Sequence, residues 1–206
     1  MLLRELTITN FINETGSNSP APGGGSIAAL SAASAAALIE MVANLTIGKK
    51  GYEEVQLEME NIKNEAATLK DSFVHYIDKD AGAFNQIMAA FKLPKVTEEE
   101  KAMRTVTIQE AFKRAAIVPF EIGKSAYDLL DLAERVVLRG NKNAVTDGAV
   151  AAMNARTAVH SAFYNTKINL SSIKDPTFVN IMVTDMSAIE SKVDAWEQAI
   201  LQQVRL

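Results

Sequence analysis

An all-α fold, an elongated antiparallel bundle of five to six helices forming a homodimer, is the architecture that the 206-residue sequence predicts. Apolar residues recur at spacings of three and four along most of the chain, and strand-like alternation is nearly absent. Aromatic residues make up only 6%, so the core has to be aliphatic and small-residue, which favours helices. Several periodic stretches run to about 30 to 40 residues, beyond the usual helix length, which suits a bundle with an apolar face left over for a second subunit. The length fits one domain, residues 1–206, with neither an internal repeat nor a separating linker.

A short first helix is expected around Thr9–Thr15, followed by a Gly/Ser/Pro/Asn loop over Gly16–Gly25. Ser26 opens a second helix that runs to about Ile47 and is ended by Gly48 and Gly51. Its Ala28, Ala29, Ala32, Ala33, Ala36 and Ala37 let other helices approach its backbone closely. Tyr52 to Phe91 reads as one long helix, stopped before Pro94. Thr97 with Glu100 three residues later is a capping-box signature, starting a helix that reaches Arg139. Pro119 is expected to kink or divide that helix near Val118, and Gly140 closes it. Helical pattern resumes from about Asn143 to Leu170. The last helix starts with Asp175 as cap and Pro176 at its first position, and continues to Val204.

Composition narrows the function. A formal charge of -4, with no basic block, argues against a general nucleic-acid binder. Without Cys there is no disulfide framework, thiolate catalysis or cysteine-held metal, and two His are too few for a histidine-built metal site. The amino terminus carries Arg4 and Glu5 and lacks a small-residue cleavage site, unlike a signal peptide. Thr15 through Gly48 holds a single charge, Glu40, yet its apolar content is mostly Ala with interspersed Ser, whereas spanning needs roughly 20 strongly apolar residues. A core helix of a cytoplasmic protein with no membrane partner is the expectation.

Asp80 breaks the pattern of its helix. Phe73, Tyr76 or Ile77, Asp80, Phe84, Ile87 and Phe91 fall on one stripe, and every other member is large and apolar. A desolvated carboxyl holds its proton to higher pH, as a general acid requires; capping another helix or bonding a buried Arg or Asn is the structural alternative. Asp78, beside Lys79 and Lys70, belongs to a polar flank. On the fifth helix Asp147, Asn154, Ser161, Asn165 and Asn169 form a polar line among alanines, which suits either interhelix hydrogen bonds or the polar wall of a pocket. Pro22-Gly23-Gly24-Gly25-Ser26 precedes a helix directly, so its N–H groups can meet an anion or a carbonyl, unless the glycines serve only loop flexibility. Lys49 and Lys50 either complement a helix dipole or meet the carboxylates of an acidic ligand. His75 and His160 read as structural.

In order along the chain, Pro22-Gly23-Gly24-Gly25-Ser26, Met41 to Thr46 with Gly48-Lys49-Lys50, Asp80-Ala81 with Ala83-Phe84, and Leu93-Pro94-Lys95 with Thr97 to Lys101 form the first part of a set. Val118-Pro119, Gly140-Asn141, Thr146-Asp147 and Ile168-Asn169-Leu170 complete it. This set resembles the cyclodeaminase/cyclohydrolase family of folate enzymes, which includes the carboxy-terminal domain of formiminotransferase-cyclodeaminase. Thr146 stands where that family has Ser and keeps the hydroxyl.

The resemblance implies an all-helical homodimer, a reduced-folate substrate, no cofactor, metal or nucleotide, and a catalytic Asp80. It places Gly23, Gly24, Gly25, Ser26, Lys49, Lys50, Asn141, Asp147, Asn165 and Asn169 as substrate-binding candidates. Among these, the N–H groups of Gly23–Ser26 face the ligand, Asp147, Asn165 and Asn169 hold the pterin edge or the amide, and Lys49 and Lys50 meet the glutamate tail. The expected reaction converts 5-formimidoyltetrahydrofolate to 5,10-methenyltetrahydrofolate and ammonia, with a separate formimidoyltransferase supplying substrate. The alternatives are a methenyltetrahydrofolate cyclohydrolase and a non-catalytic helical module that binds folate or a partner protein.

Overall fold

The computed structural model describes residues 2–205. Among them are six α-helices and no strand: α1 (Ile8–Thr15), α2 (Gly24–Asn44), α3 (Gln56–Phe91), α4 (Glu98–Arg139), α5 (Val145–Leu170) and α6 (Pro176–Gln202). Short 3-10 turns, Leu3–Glu5, Glu53–Val55 and Lys142–Ala144, lead into the first, third and fifth of the longer segments. The all-helical expectation holds, with boundaries within a few residues. The main difference is that α2 starts at Gly24, so two of the three consecutive glycines belong to its first turn.

Local chemistry accounts for the helix starts. Thr97 Oγ1 accepts the Glu100 N–H at 3.2 Å while the Glu100 carboxylate accepts the Thr97 N–H at 3.1 Å, closing the reciprocal cap of α4. Asp175 accepts the Phe178 N–H at 3.1 Å with Pro176 at the first helical position, which starts α6. Pro119 does not divide α4, which runs unbroken from Glu98 to Arg139. Its missing N–H is compensated from another helix, as described below.

Contacts between helices reveal their directions. Ser26 meets Asp80 and Glu40 meets Lys70, so α2 and α3 run antiparallel. Arg114 meets Gln86 while Arg135 meets Glu58, and α3 and α4 are antiparallel likewise. Lys167 with Glu190, and Arg156 with Asp194, set the same relation for α5 and α6. In the centre lies α2, whose Ala28, Ala29, Ala32, Ala35 and Ala36 are fully buried against α3 and α5. By length and composition alone α2 could cross a membrane, yet its alanine face is the middle of a helical core. With so little side chain on this helix, the bulk is supplied by neighbours: Phe73, Ile62, Ile122, Leu129 and Phe163 are fully buried around it. Burying each such side chain contributes about 1.5–3 kcal/mol.

Asp78 has more to do than a polar flank suggests. Its carboxylate accepts the Leu3 N–H at 2.6 Å and pairs with Arg4 at 3.6 Å, tying the amino-terminal turn to the middle of α3.

Candidate active site

A cavity of about 320 Å³ opens at one end of α2, lined by Gly23, Gly24, Gly25, Asp80, Asn165 and Asn169 together with apolar Phe84, Ile87, Ala115 and Ile168. The antiparallel order produces this meeting. It brings the start of α2, the middle of α3, Ala115 of α4 and the last turns of α5 to one place.

Asp80 sits against the first turn of α2. The Ser26 hydroxyl lies 3.2 Å from Asp80 Oδ2 and donates to it, and the same hydroxyl is 3.0 Å from the Ile77 carbonyl. A Cβ on Gly25 would fall 2.1 Å from Asp80 Oδ1, so only glycine leaves room for the carboxyl to lie on the helix start. Burial raises the Asp80 carboxyl above its ordinary pKa, while the Ser26 hydroxyl and N–H pull the other way. Among the described residues no cation contributes to its titration. Asp80 therefore does cap a neighbouring helix, one of its two sequence-based alternatives, and at the same time it lines a cavity. Both carboxyl oxygens lie close to the first turn of α2, and the residue is still part of the cavity wall.

The opposite wall belongs to α5. Asn169 donates to the Ala115 carbonyl at 3.0 Å and to the Asn165 carbonyl at 2.8 Å. Ala115 is four residues before Pro119, and a proline has no N–H to return to that carbonyl. The free acceptor created in α4 is thus what anchors Asn169. Asn165 donates to the Ser161 carbonyl at 2.8 Å, and a Cβ on Gly24 would meet its amide nitrogen at 2.8 Å. Asn169 spends both of its N–H groups on main-chain carbonyls and Asn165 one of its two, which leaves both amide oxygens as acceptors and one Asn165 N–H as a donor.

The remaining predicted residues lie elsewhere. Lys49, Lys50 and Asn141 are at the far end of α2, about 30 Å away along a helix of this length. Asp147 begins α5 and is about 27 Å along it from Asn165. There Lys49 donates to Asn141 Oδ1 at 2.8 Å and stacks over Tyr52, while buried Asn141 bonds Thr46 and Leu45. Asn141 has little capacity left for a ligand. His75 bonds its own helix and His160 bonds Asp194, consistent with structural roles. Among the described residues no three His, Asp or Glu side chains converge to hold a metal ion.

Ser26 differs from the expectation in another way: it is fully buried, with its hydroxyl turned to Asp80 rather than into the cavity. Ala115 was not singled out by the sequence, although Pro119 four residues later is the signal that marks it. A second cavity of about 460 Å³, between α3, α4 and α6, is lined by Tyr76, Phe120, Glu121, Lys124 and Phe178. Two of its polar groups, Tyr76 and Glu121, bond each other at 2.8 Å, and Lys79 reaches the same carboxylate at 3.3 Å.

Comparison with known proteins gives a consistent picture. The family model described as Formiminotransferase-cyclodeaminase matches residues 7–188. A methenyltetrahydrofolate cyclohydrolase of Methylorubrum extorquens is 37% identical over 199 residues, covering 97% of this chain and 96% of that protein. The formimidoyltransferase-cyclodeaminase of Rattus norvegicus is 34% identical over 176 residues, and the match takes in 32% of that longer protein. The crystal structure of formiminotetrahydrofolate cyclodeaminase from Thermotoga maritima superimposes with a TM-score of 0.87 at 32% identity, covering 98% of this chain and 97% of that one.

Proposed function

Because the chain belongs to the formiminotransferase-cyclodeaminase family, we propose that its cavity binds a reduced folate and that Asp80 moves the proton in one-carbon chemistry between N5 and N10. The observation that carries this reading is a carboxyl with no cationic partner among the described residues, raised in pKa by burial, on the wall of a cavity with acceptor oxygens opposite.

The first reaction is deamination of 5-formimidoyltetrahydrofolate. N10 attacks the amidine carbon on N5 and gives a tetrahedral carbon bearing nitrogen. The N10 proton passes to that nitrogen, and a further proton from Asp80 lets it leave as ammonia instead of the amide ion. The product is the 5,10-methenyl cation, beside an Asp80 that is now ionised and stabilises the developing charge. General acid–base work of this kind contributes roughly 10²–10⁴-fold in rate. Raising the carboxyl above its ordinary value favours the protonated form that this step consumes. The acceptor oxygens of Asn165 and Asn169 suit the N–H-rich edge of a pterin, and the free N–H groups of the first α2 turn suit a carbonyl.

The end-to-end similarity to the Methylorubrum extorquens cyclohydrolase favours a second reaction on the same carbon. Water adds to the methenyl carbon, ionised Asp80 takes its proton, and the bridge opens to 10-formyltetrahydrofolate. A homodimer fits both readings, because Val150, Met153, Tyr164 and Ile168 leave an exposed apolar stripe along α5. Lys49 and Lys50 reach the carboxylates of a bound folate only from a second copy of the chain. The protein works in the cytoplasm, where a formimidoyltransferase supplies the deaminase substrate.

Purified protein given each folate in turn, with methenyl absorbance and ammonia release followed, separates the two reactions. Growth of methenyl absorbance with ammonia from the formimidoyl compound supports deamination, and loss of methenyl absorbance above the spontaneous rate supports hydrolysis. Binding of a reduced folate without either turnover contradicts both and leaves a non-catalytic module.

A further inference from the structure

We propose that Ser26 is a positioning residue for Asp80, whose single hydroxyl proton turns from the Ile77 carbonyl to the Asp80 carboxylate when Asp80 gives up its own. This deepens the reading of Asp80 as proton donor and rests on it.

The geometry is unusual for a helical serine. Ser34 on the same helix, and Ser72 on α3, donate back to carbonyls four residues earlier in their own helices. Ser26 instead crosses to α3, with two acceptors in reach, Ile77 O at 3.0 Å and Asp80 Oδ2 at 3.2 Å. A hydroxyl has one hydrogen to donate and can also accept. When Asp80 carries its proton on Oδ1, neutral Oδ2 is the weaker acceptor and the serine donates to the Ile77 carbonyl. When Asp80 is ionised, the serine donates to Oδ2. Both states are satisfied by a rotation of one hydrogen, so the heavy atoms hold still as the proton leaves. Pre-set polar groups that need not reorganise during reaction are what lower a barrier. Ser26 touches no ligand, being fully buried. Its alternative role, a simple tie between α2 and α3, requires no particular relation to the protonation of Asp80.

The test compares Ser26→Ala and Ser26→Cys with the Asp80→Asn variant, in the full chain, using whichever folate the wild type turns over. The limb of the pH profile that disappears in Asp80→Asn is the one assigned to Asp80. In both serine variants the ionised carboxylate loses a good donor, a thiol being a weak one, so that limb moves to higher pH by about one unit whether Asp80 acts as acid or base. A fall in kcat of about tenfold with KM within about twofold accompanies it, as expected for a mispositioned group. If the limb stays in place in whichever serine variant folds, even with a lower kcat, Ser26 is only a structural tie and the inference is overturned. Wild-type turnover in Asp80→Asn overturns the reading beneath it instead.

Discussion

Replacing Asp80 by Asn keeps the shape of the side chain and removes its ionisable group. The Ser26 hydroxyl still finds an oxygen acceptor, and the space left by Gly25 admits an amide as readily as a carboxyl. The folded protein should therefore survive while proton transfer does not. Turnover is expected to drop by about 10²–10⁴-fold with little change in KM, since a general acid acts in the transition state and not in binding. Stability should move the other way. Burial raises the folded-state pKa of Asp80 above its ordinary 3.8, so the folded form holds the proton more tightly than the unfolded chain does. That contribution is fully present below 3.8 and is lost as pH rises through the folded value, above which the folded chain bears the cost of an ionised, desolvated group. Asp80→Asn should thus melt above the wild type at pH 7, with the gap closing in acid. Initial rates followed by methenyl absorbance, with melting curves at pH 7 and pH 3.5, measure both. A variant with wild-type-like turnover, or one that melts lower at neutral pH, refutes the reasoning.

Gly25→Ala puts a methyl 2.1 Å from Asp80 Oδ1, and should lower kcat at least tenfold at a folding cost of about 1–3 kcal/mol; urea unfolding with steady-state kinetics checks both. Pro119→Ala restores an N–H to the Ala115 carbonyl, in competition with Asn169. KM should rise about tenfold without loss of melting temperature, and an unchanged KM would show that Asn169 does not depend on that carbonyl. If Lys49 and Lys50 serve the cavity of a second copy, mixing Lys49→Ala/Lys50→Ala protein with Asp80→Asn protein after subunit exchange should restore activity that neither has alone. No recovery would assign the lysines to the α2 terminus only.

Helices were legible because their signals are local. The Thr97–Glu100 box and the Asp175–Pro176 start each depend on residues three apart, and both form as read. Asp80 was legible for a similar reason, since one charged member in a stripe of Phe73, Ile77 and Ile87 stands out on any helix. What periodicity does not carry is position along the helix axis. Asp147 and Asn165 share a polar line on α5, but the line is long, and only its last two asparagines line the cavity that Asp80 lines. Lys49 follows the helix that Gly24 begins, and the length of that 21-residue helix separates them. The pairing of Asn169 with Ala115 needed a second helix to be placed first. Asp78 was passed over because its partners, Leu3 and Arg4, are distant in sequence.

The most direct measurement is a crystal structure of the Asp80→Asn protein with 5-formyltetrahydrofolate bound. The one-carbon group is expected between N5 and N10 within hydrogen-bond reach of residue 80, about 2.6–3.2 Å, with the pterin edge on Asn165 and Asn169. A ligand seated instead between Tyr76, Phe120 and Phe178, with the Asp80 cavity filled by water alone, would contradict that placement.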